Sequence, residues 1–226
     1  VNMNIQGAQI SGIFNGTRLS MRGLQAAGIL NVTRRLLRGA QLGGIGNIAG
    51  DVSGVQMATI FNKAGNVKGT QMAFLVNIAD HSDYPIGFVN IIRDGEMSIG
   101  VTYDMTGSVM LGFRSGGRVM YGIAAVGYNT LAEGSGLTAE LGIGAHINIL
   151  RWLRINNELT ASNIDITEVD SNVSMASYAL LPAFRIGRHF ELFAGPTLNY
   201  MFNQTNKGGN SVLFQSGPLW EKVSGK

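Results

Sequence analysis

The side chains able to do chemistry are few, and their spacing limits what they can do. His81, His146 and His189 stand far apart, with no second donor at metal-ligand spacing, so no metal site is expected. Asp80, Asp83 and Asp94 form one acidic group and Asp165 with Asp170 another. Carboxylates so spaced either gather around calcium or serve as solvated loop acids. The run Gly44-Ile45-Gly46-Asn47-Ile48-Ala49-Gly50 has the glycines of a phosphate loop, but neither its spacing nor a following helical pattern. No Ser/His/Asp arrangement is readable, and the absence of cysteine removes disulfides and thiolate ligands. The reading is therefore of a non-enzyme without a cofactor. A solenoid enzyme acting on polysaccharide would need acids clustered on one face, and Asp51 stands alone in residues 1–77.

Positive charge does cluster. Residues 1–77 carry Arg18, Arg22, Arg34, Arg35, Arg38, Lys63 and Lys68 against Asp51, a net of +6 in a chain of net +3, which leaves −3 for the remainder. The five arginines have two readings. They are solvated turn residues that keep a stack soluble, or they form an electrostatic face for an anionic glycan or a lipid phosphate. Nothing points to nucleic acid.

These residues are carried by a repeat. Gly-x-Gln recurs at Gly7–Gln9, Gly23–Gln25, Gly39–Gln41, Gly54–Gln56 and Gly69–Gln71. Six residues after each glutamine comes an asparagine: Asn15, Asn31, Asn47, Asn62, Asn77. Two before each asparagine is an aliphatic (Ile13, Ile29, Ile45, Ile60, Leu75), and two before that a small residue (Ser11, Ala27, Gly43, Ala58, Ala73). This alternation predicts a nine-residue strand with Gln, small, Ile and Asn on one face. The six or seven residues before the next glycine hold one recurrent apolar (Met21, Leu37, Val52, Val67), enough for a turn, a brief second strand and another turn. The units then stack as a parallel β-solenoid of 15–16-residue coils over residues 1–95. Gln9, Gln25, Gln41, Gln56 and Gln71 form one amide ladder; Asn15, Asn31, Asn47, Asn62, Asn77 and Asn90 form the other. A shortened sixth unit, with Pro85 inside its strand and Asn90 at its end, is expected to cap the stack. The opposite strand face is also apolar (Leu24, Ala26, Leu30; Val55, Met57, Phe61; Met72, Phe74, Val76), and must be covered by a partner, by the C-terminal domain or by lipid.

The repeat resembles the leptospiral-type surface repeat proteins of spirochaetes and Bacteroidetes, whose units read like Gly-x-Gln-hydrophobic-Gly-x-x-Asn. The resemblance covers about residues 5–104 and is best at Gly23–Asn31 and Gly39–Asn47. Thr59 and Phe74 depart from it, standing where Gly28 and Gly44 occupy the position three before the asparagine. Leu111–Asn129, with Phe113-Arg114-Ser115-Gly116 and Tyr121-Gly122-Ile123, is similar to the barrel region that follows such repeats in Bacteroidetes proteins. The family implies an envelope or surface location and no particular chemistry.

From about Met97 the pattern changes to long alternating strands. Leu137, Ala139, Leu141, Ile143, Ala145 and Ile147 oppose Thr138, Glu140, Gly142, Gly144, His146 and Asn148. The division repeats over Leu153–Ala161 and Phe190–Phe202, with breaks near Arg151, Asp165–Asn172 and Gly187-Arg188-His189. Residues 96–226 are read as an antiparallel up-and-down β-barrel of about eight strands, with Val212–Phe214 closing it. Two polarities are open. A soluble barrel points its apolar faces inward; an outer-membrane barrel points them at lipid and pairs its charges in the lumen. The favoured version is the outer-membrane one. Arg114, Arg118, Glu140, Arg154, Glu158, Arg185 and Glu191 are then lumen groups, and Tyr121, Trp152, Tyr178, Phe190 and Phe202 an interfacial girdle. No run of 18 apolar residues exists for a spanning helix. Val1 lies almost inside the first repeat, so a processed or trimmed N-terminus is expected.

The expected function is structural or interactive, at a bacterial outer membrane or cell surface. The barrel anchors, the solenoid presents a surface, and the partners are outer-membrane lipid or another envelope protein. The alternative is a soluble exported glycan-binding module using the basic turns.

Overall fold

The computed structural model describes residues 2–130, 136–166, 171–187, 190–203, 211–215 and 221–222. It is all-β, with a parallel sheet followed by an antiparallel one. The chain divides into two compact units, one of Val1–Ser98 with Arg114–Gly122 and one of Ile99–Phe113 with Ile123–Lys226. Residues 114–122, counted with the barrel in the sequence, thus belong to the solenoid unit.

The parallel sheet holds β1 (Asn2–Ser11), β2 (Phe14–Ala27), β3 (Leu30–Gly43), β4 (Gly46–Ala58), β5 (Phe61–Lys63), β6 (Asn66–Ala73), β7 (Val76–Ala79), β8 (His81–Ile86) and β9 (Val89–Ile92). Every pairing is between equivalent repeat positions: Gln9 lies beside Gln25, Gln25 beside Gln41, Gln41 beside Gln56, and Asn77 beside Asn90. Burial shows how one coil closes. In the second, Asn15, Thr17, Met21, Gln25 and Ala27 face inward, and Asn31 begins the next. The alternation of two slips to four at Gly23, at Gly28-Ile29 and at Arg34-Arg35. Each slip is a corner, so a coil has three short walls.

That corrects the sequence reading in one respect. The predicted nine-residue strand is hinged at its glycine–isoleucine pair, and the aliphatic there turns outward; Ile13 is 66% and Ile45 41% exposed. The true apolar core is the other row, Met21, Leu37, Val52 and Val67, joined by Ala49, Ala64, Ala79 and Ile92. At the first corner glycine is obligatory. Gly39 has φ of 123°, and a Cβ there would strike the carbonyl oxygen of Gly23 in the coil before it.

Polar ladders fill the rest of the interior. Gln25, Gln41 and Gln56 each donate from Nε2 to the Oε1 of the preceding glutamine at 2.9, 2.7 and 2.8 Å. The asparagines run the opposite way. Asn31, Asn47 and Asn62 each donate from Nδ2 to the Oδ1 of the following asparagine at 2.9, 2.9 and 3.0 Å. Their second hydrogens bind corner carbonyls, Asn31 to Leu42 at 2.7 Å and Asn47 to Met57 at 2.7 Å. All these amides are fully buried, and each satisfied bond removes a desolvation cost of about 1–3 kcal/mol.

The sixth coil ends the stack. Pro85 lies level with Gln71, and the Oε1 of Gln71 has no hydrogen-bond partner. The asparagine ladder goes one rung further, to Asn90, whose Nδ2 and N–H bind the carbonyl and hydroxyl of Ser115 at 3.2 and 2.9 Å. Gly117 packs beside Pro85, and Gly122 abuts the carbonyls of Gly87 and Phe88. The capping material is therefore the 114–122 segment as well as the degenerate repeat.

The antiparallel sheet runs in the order β10 (Glu96–Tyr103), β11 (Ser108–Gly116), β12 (Met120–Asn129), β13 (Leu137–Leu150), β14 (Leu153–Ile166), β15 (Ser171–Ile186), β17 (Thr197–Asn203), β18 (Ser211–Gln215) and β19 (Glu221–Lys222). β16 (Phe190–Phe193) also pairs with β15, so β16 and β17 are one pass interrupted at Gly195-Pro196. The up-and-down meander expected from the alternation is present. Val212–Phe214 lie in β18 against β17. Among the described residues no pairing joins β10 to β19.

Candidate functional site

The arginines occupy two adjacent coils. Arg18 and Arg22 lie on β2, and Arg34, Arg35 and Arg38 on β3. Arg22 is the direct register partner of Arg38, and the pairing of Thr17 with Thr33 brings Arg18 level with Arg34. All five are exposed, and among the described residues none makes an ion pair. Asp51 does not neutralise them. Its Oδ1 accepts from the N–H and Nδ2 of Asn66 at 2.9 and 3.1 Å, in the following coil.

At the corresponding corner of the last coils the charges are paired. His81, which begins β8, lies between two acids: Nδ1 is 2.7 Å from Asp94 and Nε2 3.2 Å from Asp83. The hydrogen bond to Asp94, then that to Asp83, holds its pKa above the usual histidine value against the opposing effect of burial. Asp83 also accepts from the N–H of Gly69 at 2.9 Å, Arg93 lies 3.7 Å from Asp80, and Arg118 lies 3.9 Å from Asp94. The first acidic group is thus engaged by His81, Arg93 and Arg118, and among the described residues no group of three or more His, Asp or Glu side chains is placed to hold a metal ion. Asp170 and His189 lie outside the described residues, as does the side chain of Asp165. The glycine run 44–50 is no loop: Gly44 is a corner against the Gly28 carbonyl, and Gly46–Gly50 open β4.

The meander has an apolar open face and an enclosed face that is polar over β13 and β14, while Met110, Ile123, Ala125, Met175, Leu181 and Ala183 on the neighbouring strands are buried as well. Thr138, His146, Arg154, Asn156, Glu158, Thr160, Ser162, Ser177 and Asn199 are buried, with Asn156 2% and Glu158 5% exposed. Leu141, Ile147, Leu159, Phe184, Phe190 and Leu192 are exposed, Leu159 by 54%. Within the enclosed face Arg154 meets Glu191 at 2.6 Å, Arg185 lies 3.9 Å from the same carboxylate, and Asn156 donates to Glu191 at 2.9 Å. Asn156 also bonds Nδ1 of His146 at 2.8 Å. Two expectations fail here. Arg118 is exposed in the solenoid unit and is no lumen group, and Tyr121, at 3% exposure, belongs to no girdle. The side chain of Phe202 lies outside the described residues.

Sequence reasoning missed the threonine brace of the early coils. Thr33 donates to Gln25 at 3.0 Å and accepts from Gln41 at 3.3 Å; Thr17 does the same between Gln9 and Gln25. The signal was there, since the residue two after each asparagine is small or apolar throughout: Thr17, Thr33, Ala49, Ala64, Ala79, Ile92. No family model, curated protein or solved structure matches the chain.

Proposed function

We propose that the chain is a non-catalytic structural or interaction protein of a bacterial outer membrane or cell surface. The meander closes as a lipid-facing barrel, and the solenoid is its scaffold or binding surface. The observation that carries this reading is the polarity of the antiparallel sheet. Arg154, Asn156 and Glu158 are buried while Leu141, Ile147 and Leu159, on the same two strands, are open. Water would favour the reverse, because each exposed leucine or isoleucine forgoes about 1.5–3 kcal/mol of burial. In hydrocarbon the arrangement is the favourable one.

Two further features support it. The 14 residues of β13 or β14 extend about 46 Å at 3.3 Å per residue, or about 33 Å along the membrane normal at a 45° tilt. Exposed aromatics lie toward both strand ends, Tyr103 and Tyr128 at one and Trp152, Phe184 and Phe190 at the other, as headgroup anchors do. The rings of Trp152 and Phe184 stack at 5.9 Å. An interior filled by the Arg154–Glu191–Asn156–His146 network suits an anchor better than an open pore. The test is fractionation of the expressed chain. Sedimentation with outer membranes and release only by detergent is expected; recovery as a stable monomer in aqueous buffer would overturn the lipid-facing barrel.

A further inference from the structure

We infer that the arginine face of the second and third coils binds the phosphate headgroups of a lipid surface. The inference stands on the solenoid unit alone and does not need the meander to lie in lipid. Its first ground is register. Arg22 beside Arg38, and Arg18 level with Arg34, put like charges on neighbouring strands about 4.8 Å apart. Such pairs repel and destabilise a sheet. The fold does not require them, for in the fourth coil the Arg38 position is Ser53 and Gly50 takes the place of the Arg34-Arg35 corner.

The second ground is contrast within one architecture. The last two coils set Asp80 against Arg93, and Asp83 and Asp94 around His81. The second and third coils leave five exposed guanidiniums without an ion pair among the described residues, and the nearby Asp51 is engaged by Asn66. The third ground is residue type. All five are arginine, whose planar fork can bond two oxygens of one phosphate. Rows one coil apart suit a surface of repeated phosphates better than a single small anion.

The experiment uses the full chain in a nonionic detergent, with mixed micelles of phosphatidylcholine alone or with phosphatidylglycerol. The wild type is expected to bind the phosphatidylglycerol micelles, and more weakly as salt rises. The R22Q/R38Q variant should bind about thirtyfold more weakly, the loss for two surface cations facing an anionic leaflet. R22K/R38K should recover part of that, and K63Q, on another wall, should match the wild type. Unchanged binding by R22Q/R38Q, with an unaltered thermal midpoint, would overturn the inference. Competition by inorganic phosphate at the same concentration as lipid phosphate would overturn the lipid source. Tighter binding to heparin than to the micelles would overturn phosphate as the ligand. If the chain is instead soluble without detergent, the same arginine dependence is expected on vesicles, so the two readings fail separately.

Discussion

Asn47 shows what one ladder residue does. Its Nδ2 donates to Asn62 at 2.9 Å and to the Met57 carbonyl at 2.7 Å, while its Oδ1 accepts from Asn31 at 2.9 Å. Asn47→Ala leaves one Asn31 Nδ2 hydrogen and the Asn62 Oδ1 buried without that partner, each at about 1–3 kcal/mol, while the carbonyl of the exposed Met57 can turn to water. A loss of at least about 2 kcal/mol is expected in denaturant unfolding followed by circular dichroism; a loss under about 1 kcal/mol would contradict the ladder. His81 makes a pH-dependent contribution. Its pKa is raised in the folded chain, first by the bond to Asp94, so the stabilisation is fully present below the unfolded value near 6.5 and lost as pH rises through the folded value. Wild-type thermal midpoints should exceed those of His81→Gln at pH 5.5, with the gap closing toward pH 8.5. A gap that widens with pH would reverse the assignment. Glutamines and asparagines were legible because one amide type recurs at a fixed place in every repeat. The His81 clamp was not, since it joins acids two and thirteen residues away across a corner.

Within a coil, the hinge at glycine–isoleucine matters more than the alternation that obscured it. Two-residue periodicity assumes an unbroken strand, and Gly28 or Gly44 alone did not reveal a corner because Thr59 and Phe74 stand at the same place. The structure separates two aliphatic rows that look alike in the sequence. Leu37 is fully buried, whereas Ile45 is open. Leu37→Ala should cost about 2–5 kcal/mol, and Ile45→Ser less than about 1 kcal/mol, measured on the same denaturant scale. Equal costs would restore the continuous strand. The second apolar face of the repeat, read as needing a cover, is half-buried at Leu24, Leu30, Val55, Phe61 and Val76 and open at Met57, Met72 and Phe74.

On the scale of the whole molecule, both repeat and meander were legible from period, but the polarity of the meander had to be read from its charges and aromatics instead. An alternating pattern has two faces and no sign; only curvature decides which is enclosed. Leu159→Arg tests the outcome. On a lipid face near mid-strand it should cost about 2–4 kcal/mol of stability in reconstituted bilayers, and a cost near zero would favour a water-facing surface. The opposed directions of the two amide ladders have one more consequence. Side-chain amides aligned head to tail would sum, as peptide units do in a helix, to a field growing with each turn. Here every glutamine dipole is countered by an asparagine dipole in the same coil. The stack can therefore lengthen coil by coil without building up partial charge at its ends, and its electrostatics are set by the side chains at its corners.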